Sequence, residues 1–71
     1  MTQKPVVYTL TTCPTCVKLK RAWKAQGREF EERAVDGNQK WLTEALQYAD
    51  TVPIILYPQG RVEVGFEGEI G

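Results

Sequence analysis

The sequence contains no histidine and only two cysteines. Histidine is the side chain that most often serves as a metal ligand or as a proton acceptor near neutral pH. A structural zinc site needs about four nitrogen or sulfur ligands, so one copy of this chain cannot supply them, and only a site shared between two chains could. The two thiols are therefore the main candidates for chemistry in this sequence.

The sequence also lacks an excess of charge and a long apolar run. A net charge of zero argues against a nucleic-acid-binding protein held mainly by phosphate contacts. No stretch approaches the roughly 18 apolar residues of a membrane span. The apolar run after residues 1–5 is too short for the roughly 7–15-residue core of a signal peptide. We therefore expect a cytoplasmic protein, where a stable structural disulfide is uncommon and a catalytic one is typical.

Residues 1–71 are predicted to form one small α/β domain with the element order β-α-β-α-β-β. The apolar patterns place strands at residues 6–10, 28–35, 52–57 and 61–66, and helices at 17–26 and 39–50. The first two strands should be parallel because a helix joins them, and the last two should form a hairpin in a mixed four-stranded sheet. The two helices are expected to cover one face, and residues 67–71 are too few for a further complete helix.

The two cysteines stand three residues apart, between the first strand and the first helix, as Cys13-Pro14-Thr15-Cys16. A C-x-x-C motif at such a junction is typical of a dithiol redox site. Thr11 and Thr12 offer hydroxyls as N-caps, and Pro14 suits the first helical position. The helix N-terminus favours an anion, so Cys13 should ionise more readily than a free cysteine. In such motifs the thiol pKa falls from about 8.5 to roughly 3.5–7.5, and the thiolate is the nucleophile.

The charges are unevenly distributed along the chain. Residues 1–28 contain basic side chains but no acidic one, whereas residues 29–71 hold all nine acidic residues. The basic residues of the first part are Lys4, Lys18, Lys20, Arg21, Lys24 and Arg28. They can simply suit the body and C-terminal end of the first helix. Alternatively, they form a positive rim near the dithiol that favours the thiolate and acidic partners.

Several short motifs resemble the glutaredoxin family of the thioredoxin fold, over about residues 6–66. They are Val7-Tyr8-Thr9, Cys13-Pro14-Thr15-Cys16, Val35-Asp36-Gly37-Asn38, Thr51-Val52-Pro53 and Gly65-Phe66. The resemblance implies a minimal thioredoxin fold with a truncated or absent C-terminal helix. It also implies a redox-active disulfide between Cys13 as the attacking thiol and Cys16 as the resolving thiol, with no bound metal or other cofactor. Pro53 would be the family's cis-proline. The residues implied to contact substrate are Pro14, Thr15, Thr51, Val52, Pro53, Gly65 and Phe66.

The sequence departs from many glutaredoxins where that family binds glutathione. Leu10 stands where Lys or Arg is common, Thr15 where an aromatic residue is common, and Glu67 and Glu69 would repel a glutathione carboxylate. The Gly-Phe pair is similar to NrdH-redoxins, which donate electrons to ribonucleotide reductase and are reduced by thioredoxin reductase. The resemblance thus implies a monomeric reductase of protein disulfides, with either thioredoxin reductase and NADPH or glutathione as the electron source.

Two other kinds of function stay open from the residues. The first is a metal or iron–sulfur site, which would require thiols from a second chain or from glutathione. The second is a structural disulfide in a binding module. A four-residue loop gives far less chain-entropy stabilisation than the roughly 3 kcal/mol estimated for a 15-residue loop, which favours the redox interpretation.

Overall fold

A computed structural model describes residues 4–69 as two helices and four strands. The elements are β1 (Val6–Thr9), α1 (Pro14–Ala25), β2 (Glu31–Ala34), α2 (Gln39–Leu46), β3 (Ile54–Leu56) and β4 (Val62–Val64), with a 3-10 turn at Val35–Gly37. This order confirms the predicted β-α-β-α-β-β arrangement. The strands are shorter than predicted, and α2 ends at Leu46, where the sequence pattern predicted a helix as far as residue 50.

The four strands form one mixed sheet in the order β2-β1-β3-β4. β1 runs parallel to β2 and antiparallel to β3, and β3 pairs antiparallel with β4. The predicted parallel pair and hairpin are therefore confirmed. The hairpin turn also forms as predicted, because the N–H of Gly60 donates to the carbonyl of Tyr57 at 2.9 Å. Together these findings establish a small α/β domain with the minimal thioredoxin fold.

The expectation that both helices cover one face of the sheet is wrong. Successive residues of a strand point to opposite faces. Val7 packs with Leu19 and Trp23 of α1, whereas its neighbour Tyr8 packs with Ala45 of α2. α1 and α2 therefore lie on opposite faces, and this explains why β1 is apolar on both sides.

The start of α1 differs from the prediction in one respect that matters for the chemistry. Pro14 is the first helical residue, as predicted, but neither Thr11 nor Thr12 caps the helix. The N-cap is Cys13, which has an extended backbone and accepts a hydrogen bond through its own side chain. The helix ends at Ala25, and Gly27 follows its C-cap with a φ of 72°, a conformation that glycine adopts without strain. The chain therefore enters α1 through the first reactive thiol.

After β4 the described chain makes a tight turn in place of a third helix. Phe66 and Glu69 exchange backbone hydrogen bonds of 2.8 and 3.0 Å around Glu67 and Gly68. The last two residues of the predicted tail lie outside the described residues. Within residues 4–69, neither helix combines the length and the apolar character needed to cross a membrane.

Candidate active site

The two thiols lie at the N-terminus of α1 and are hydrogen-bonded through the backbone. The N–H of Cys16 donates to the sulfur of Cys13 at 3.1 Å, and the N–H of Cys13 donates to the carbonyl of Leu10 at 3.2 Å. Both thiols are free, and no acidic residue lies in the first turn of the helix. An N–H donor and the positive end of a helix both favour negative charge on the acceptor. The sulfur of Cys13 thus occupies the place where a helix best stabilises an anion.

The two thiols differ in their surroundings. Cys13 is 4% exposed, whereas Cys16 is completely buried behind it. Burial, followed by the hydrogen bond with Cys13, raises the pKa of Cys16 to about 12. Cys16 is therefore a protonated thiol over the neutral pH range, and the pair is chemically unequal.

The loop before β3 lies beside the dithiol, where the sequence motif placed it. The Val52–Pro53 peptide bond is cis, which confirms the prediction for Pro53. Val52 is buried in the same cluster as Cys13 and Cys16. The N–H of Gly65 donates to the carbonyl of Pro53 at 2.8 Å, so the chain that follows β4 is tied to this loop. Five of the predicted residues are thus brought into one region.

The other residues predicted to contact the substrate differ in how far they are exposed to solvent. Pro14 is exposed, Thr51 is half-buried, and Thr15 is buried, with 5% exposure. Phe66 is half-buried and packs against the cluster formed by Val7, Leu19, Trp23 and Ile55. The Phe66 ring therefore packs partly against the core on the α1 side of the sheet.

An apolar groove of about 150 Å³ borders the dithiol region on the α2 side. It extends from Leu10 and Val52 to Leu42 and Leu46, and Asp50 is its one charged lining residue among residues 4–69. Leu46 is 57% exposed at the groove. None of the residues between 4 and 69 that line this groove is a cation, and Leu10, where the sequence departs from many glutaredoxins, is apolar. The departure from many glutaredoxins at Leu10 therefore lies in the wall of this groove.

The predicted positive rim is partly cancelled by ion pairs. Lys18 lies 3.2 Å from Glu69, and Lys20 lies 2.8 Å from Glu32. Acidic residues from the second part of the chain therefore neutralise two cations of α1. The basic residues of the first part of the sequence therefore do not form a uniformly positive surface beside the dithiol.

Asp36 is a supporting residue to which the sequence analysis gave no role in the site. Its carboxylate accepts hydrogen bonds from both the backbone N–H and the hydroxyl of Thr11, and the Thr11 hydroxyl lowers the pKa of Asp36. Thr11 lies in the loop that leads from β1 to Cys13. Asp36 thereby ties the dithiol loop to the turn after β2. Asp, Gly and Asn are residues that favour turns, but no local pattern could identify the partner of Asp36, which lies 25 residues earlier.

The described side chains offer little for metal binding. Residues 4–69 contain no group of three or more cysteine or acidic side chains placed to hold a metal ion. The features that the structure does bring together are two unequal thiols, a helix N-terminus and a cis-proline loop.

Comparison with models of known protein families identifies the family of this chain. A comparison with curated proteins finds no significant match. The family model described as Glutaredoxin matches residues 6–61, a segment that includes both cysteines and the cis-proline loop and ends before Gly65. The match covers well over half of the sequence. The chain belongs to the glutaredoxin family.

Proposed function

We propose that this protein reduces disulfides in other proteins through Cys13 and Cys16, as an electron carrier of the NrdH-redoxin type. Membership of the glutaredoxin family supports a thiol–disulfide oxidoreductase activity in general. The roles of the individual residues, the substrate and the electron source are our proposal.

In the first step the Cys13 thiolate attacks one sulfur of the substrate disulfide. A bond forms between Cys13 and that sulfur, and the other substrate sulfur leaves as a thiolate. Cys16 then loses its proton to solvent or to the departing thiolate and attacks Cys13. The Cys13–Cys16 disulfide forms, the second substrate thiolate leaves, and two electrons have passed to the substrate.

The observation that carries this assignment is the asymmetry of the two thiols. The sulfur of Cys13 caps α1 and accepts the Cys16 N–H, which stabilises the thiolate required for attack. Cys16 is fully buried, and burial raises its pKa to about 12, so it stays protonated until a mixed disulfide forms at Cys13.

We propose that the cis-proline loop and its neighbours receive the substrate. Thr51, Val52 and Pro53 would pair with an extended substrate segment, with Pro14, Thr15, Gly65 and Phe66 around it. The bond from Gly65 to the carbonyl of Pro53 supports a continuous surface there. Because the Phe66 ring packs against the core, its contribution would come from one edge of the ring and from its backbone.

The groove beside the dithiol supports our proposal for the electron source. Glutathione carries carboxylates, and a site for it needs cations or well-placed hydrogen-bond donors. Leu10 presents an apolar side chain in this groove, and Asp50 adds a negative charge. These features favour thioredoxin reductase with NADPH over glutathione as the reductant, and a protein such as ribonucleotide reductase as the recipient of the electrons.

A coupled assay with two reductants tests the proposal. The oxidised protein is mixed with insulin as the disulfide substrate and NADPH, together with either thioredoxin reductase or glutathione plus glutathione reductase. We expect sustained NADPH oxidation only with thioredoxin reductase, and none with the Cys13→Ser variant. Turnover with glutathione alone would make the protein a glutathione-dependent glutaredoxin, and turnover with neither reductant would contradict the proposed electron path.

We also propose that the protein acts as a monomer in the cytoplasm without a resident metal. Light scattering during size-exclusion chromatography measures its mass in solution. Metal analysis after anaerobic purification measures bound zinc and iron. A dimer that retains about one metal or cluster per two chains would replace the redox proposal with a shared thiolate site.

A further inference from the structure

Lys20 lies one helical turn after Cys16, on the same side of α1. Residues four apart on a helix are neighbours, with Cβ atoms roughly 5–6 Å apart. Cys16 has no exposed surface, and the Lys20 side chain is 25% exposed. A cation whose side chain is 25% exposed thus lies on the same side of α1 as the buried thiol that must become a nucleophile in the second step.

Lys20 is held in place by two other elements of the fold. Its ammonium lies 2.8 Å from one carboxylate oxygen of Glu32 on β2, and the same oxygen accepts the hydroxyl of Thr9 at 2.9 Å. Thr9 is fully buried at the end of β1. A solvated lysine samples many rotamers, whereas these contacts restrict Lys20 to the region between α1 and the sheet. The Lys20 hydrogen bond also lowers the pKa of Glu32, so that the carboxylate is charged at neutral pH.

The second step requires the Cys16 thiolate, so a nearby positive charge that stabilises this thiolate would assist it. The buried apolar cluster around Cys16 contains Cys13 and, from β1, Tyr8 as its titratable groups, and the Tyr8 hydroxyl donates to Glu44, which is paired with Arg33. Its members from α2 and β3 are apolar. Burial raises the pKa of Cys16, and the positive charge of Lys20 opposes that rise. Lys20 is therefore the cation that can stabilise the Cys16 thiolate.

We infer that Lys20, fixed by Glu32 and Thr9, is a positioning residue for the resolving step, where its charge favours ionisation of Cys16. This role rests on the proposed function, because it concerns the attack of Cys16 on a mixed disulfide at Cys13. Lys20 touches no reacting atom and takes no part in the first step. The Lys20–Glu32 pair is therefore more than a link between helix and sheet.

The two steps can be separated with one equivalent of Ellman's reagent added to the reduced protein in a stopped-flow instrument. Attack by Cys13 releases one thionitrobenzoate and leaves the other as a mixed disulfide. Attack by Cys16 on Cys13 then releases the second thionitrobenzoate in a slower phase that does not depend on reagent concentration. Both phases are recorded as a function of pH.

We expect Lys20→Met to slow the second phase about threefold at neutral pH and to move its pH profile upward, with the first phase unchanged. The size follows from one charge at helical-neighbour distance, reduced because a less acidic thiolate is a better nucleophile. Lys20→Arg keeps the charge and should restore the rate. Lys24→Met removes an exposed cation one turn further along and is the matched control, with both phases unchanged.

Glu32→Gln separates this role from a simple structural link. It keeps a hydrogen-bonding group but removes the charge opposite Lys20, so the second phase should be unchanged or faster. If the pair acts only as a link, Glu32→Gln and Lys20→Met should slow the phase equally, and that result would overturn the inference. An unchanged second phase in folded Lys20→Met, or equal slowing by Lys24→Met, would do the same. If the wild-type protein releases no thionitrobenzoate, it is the proposed function that fails.

Discussion

The backbone N–H of Cys16 lies 3.1 Å from the sulfur of Cys13 and donates a hydrogen bond to it. The sulfur of Cys13 therefore caps α1 by accepting the backbone N–H of Cys16, with both thiols free. The same placement buries the Cys16 sulfur and leaves Cys13 at the helix terminus. The division of labour between the thiols follows from this relationship.

The first prediction concerns which thiol reacts with an alkylating agent. In the reduced protein, iodoacetamide near neutral pH should modify Cys13 and leave Cys16 unmodified, because Cys16 is buried and its pKa is about 12. Peptide mass spectrometry after brief labelling measures the occupancy of each site. The unfolded protein in urea is the control, since both thiols should then be labelled. Equal labelling of both cysteines in the folded protein would contradict the assigned roles.

The second prediction concerns the groove beside Leu10. Leu10→Lys would place a cation in the groove, which has none among its described lining residues. We expect the slow direct reduction of the oxidised protein by excess glutathione, followed by intact mass spectrometry, to become about two- to fivefold faster, the range of one partly solvated charge pair. Leu10→Met is the matched control and should leave the rate unchanged. Equal rates for the lysine and methionine variants would show that the missing cation does not limit the use of glutathione.

The third prediction concerns the core on the α1 side of the sheet. Trp23 is 3% exposed, its ring centroid lies 5.5 Å from that of Phe30, and the guanidinium of Arg28 lies 4.0 Å from its ring. Trp23→Ala should lower the free energy of unfolding by about 3–5 kcal/mol, which approaches the whole stability of a small domain. Urea unfolding followed by circular dichroism measures the loss. Trp41 is only half-buried, so Trp41→Ala should cost clearly less.

Much of the fold could be predicted from the sequence because its signals are local. Apolar periodicity, Gly27 and the turn at Gly60 fix where elements start and end. The cap of α1 was wrongly assigned to threonine because hydroxyls are the usual caps, whereas here the sulfur of Cys13 takes that place. The apolar residues on both sides of β1 are the local signal that helices cover both faces of the sheet.

The contacts that tune the site could not be predicted from the sequence. Asp36 meets Thr11, Lys20 meets Glu32, and Lys18 meets Glu69 across the fold. Such pairs join residues far apart in the chain, and no spacing rule connects them. The C-x-x-C motif thus predicts the chemistry, whereas the charges around the thiols depend on the tertiary structure.

The fourth prediction concerns stability at alkaline pH. Burial, followed by the hydrogen bond with Cys13, raises the pKa of Cys16 from 9.0 to about 12, so the folded protein keeps this proton after the unfolded chain has released it. The stabilising contribution is present in full below about pH 9 and is lost as the pH rises towards about 12. The free energy of unfolding should therefore fall more steeply between about pH 9 and about pH 12 in the wild type than in Cys16→Ala. Parallel urea titrations measure both slopes, and identical slopes would contradict the assigned burial of the Cys16 thiol.

The central claim is that Cys13 attacks and Cys16 resolves, and trapping of the mixed disulfide tests it most directly. Cys16→Ser and Cys13→Ser are each mixed with oxidised insulin and analysed by non-reducing electrophoresis and intact mass spectrometry. We predict that Cys16→Ser accumulates a mixed disulfide through Cys13, which dithiothreitol reverses, and that Cys13→Ser accumulates none. A mixed disulfide formed through Cys16 in Cys13→Ser, with none in Cys16→Ser, would contradict the account.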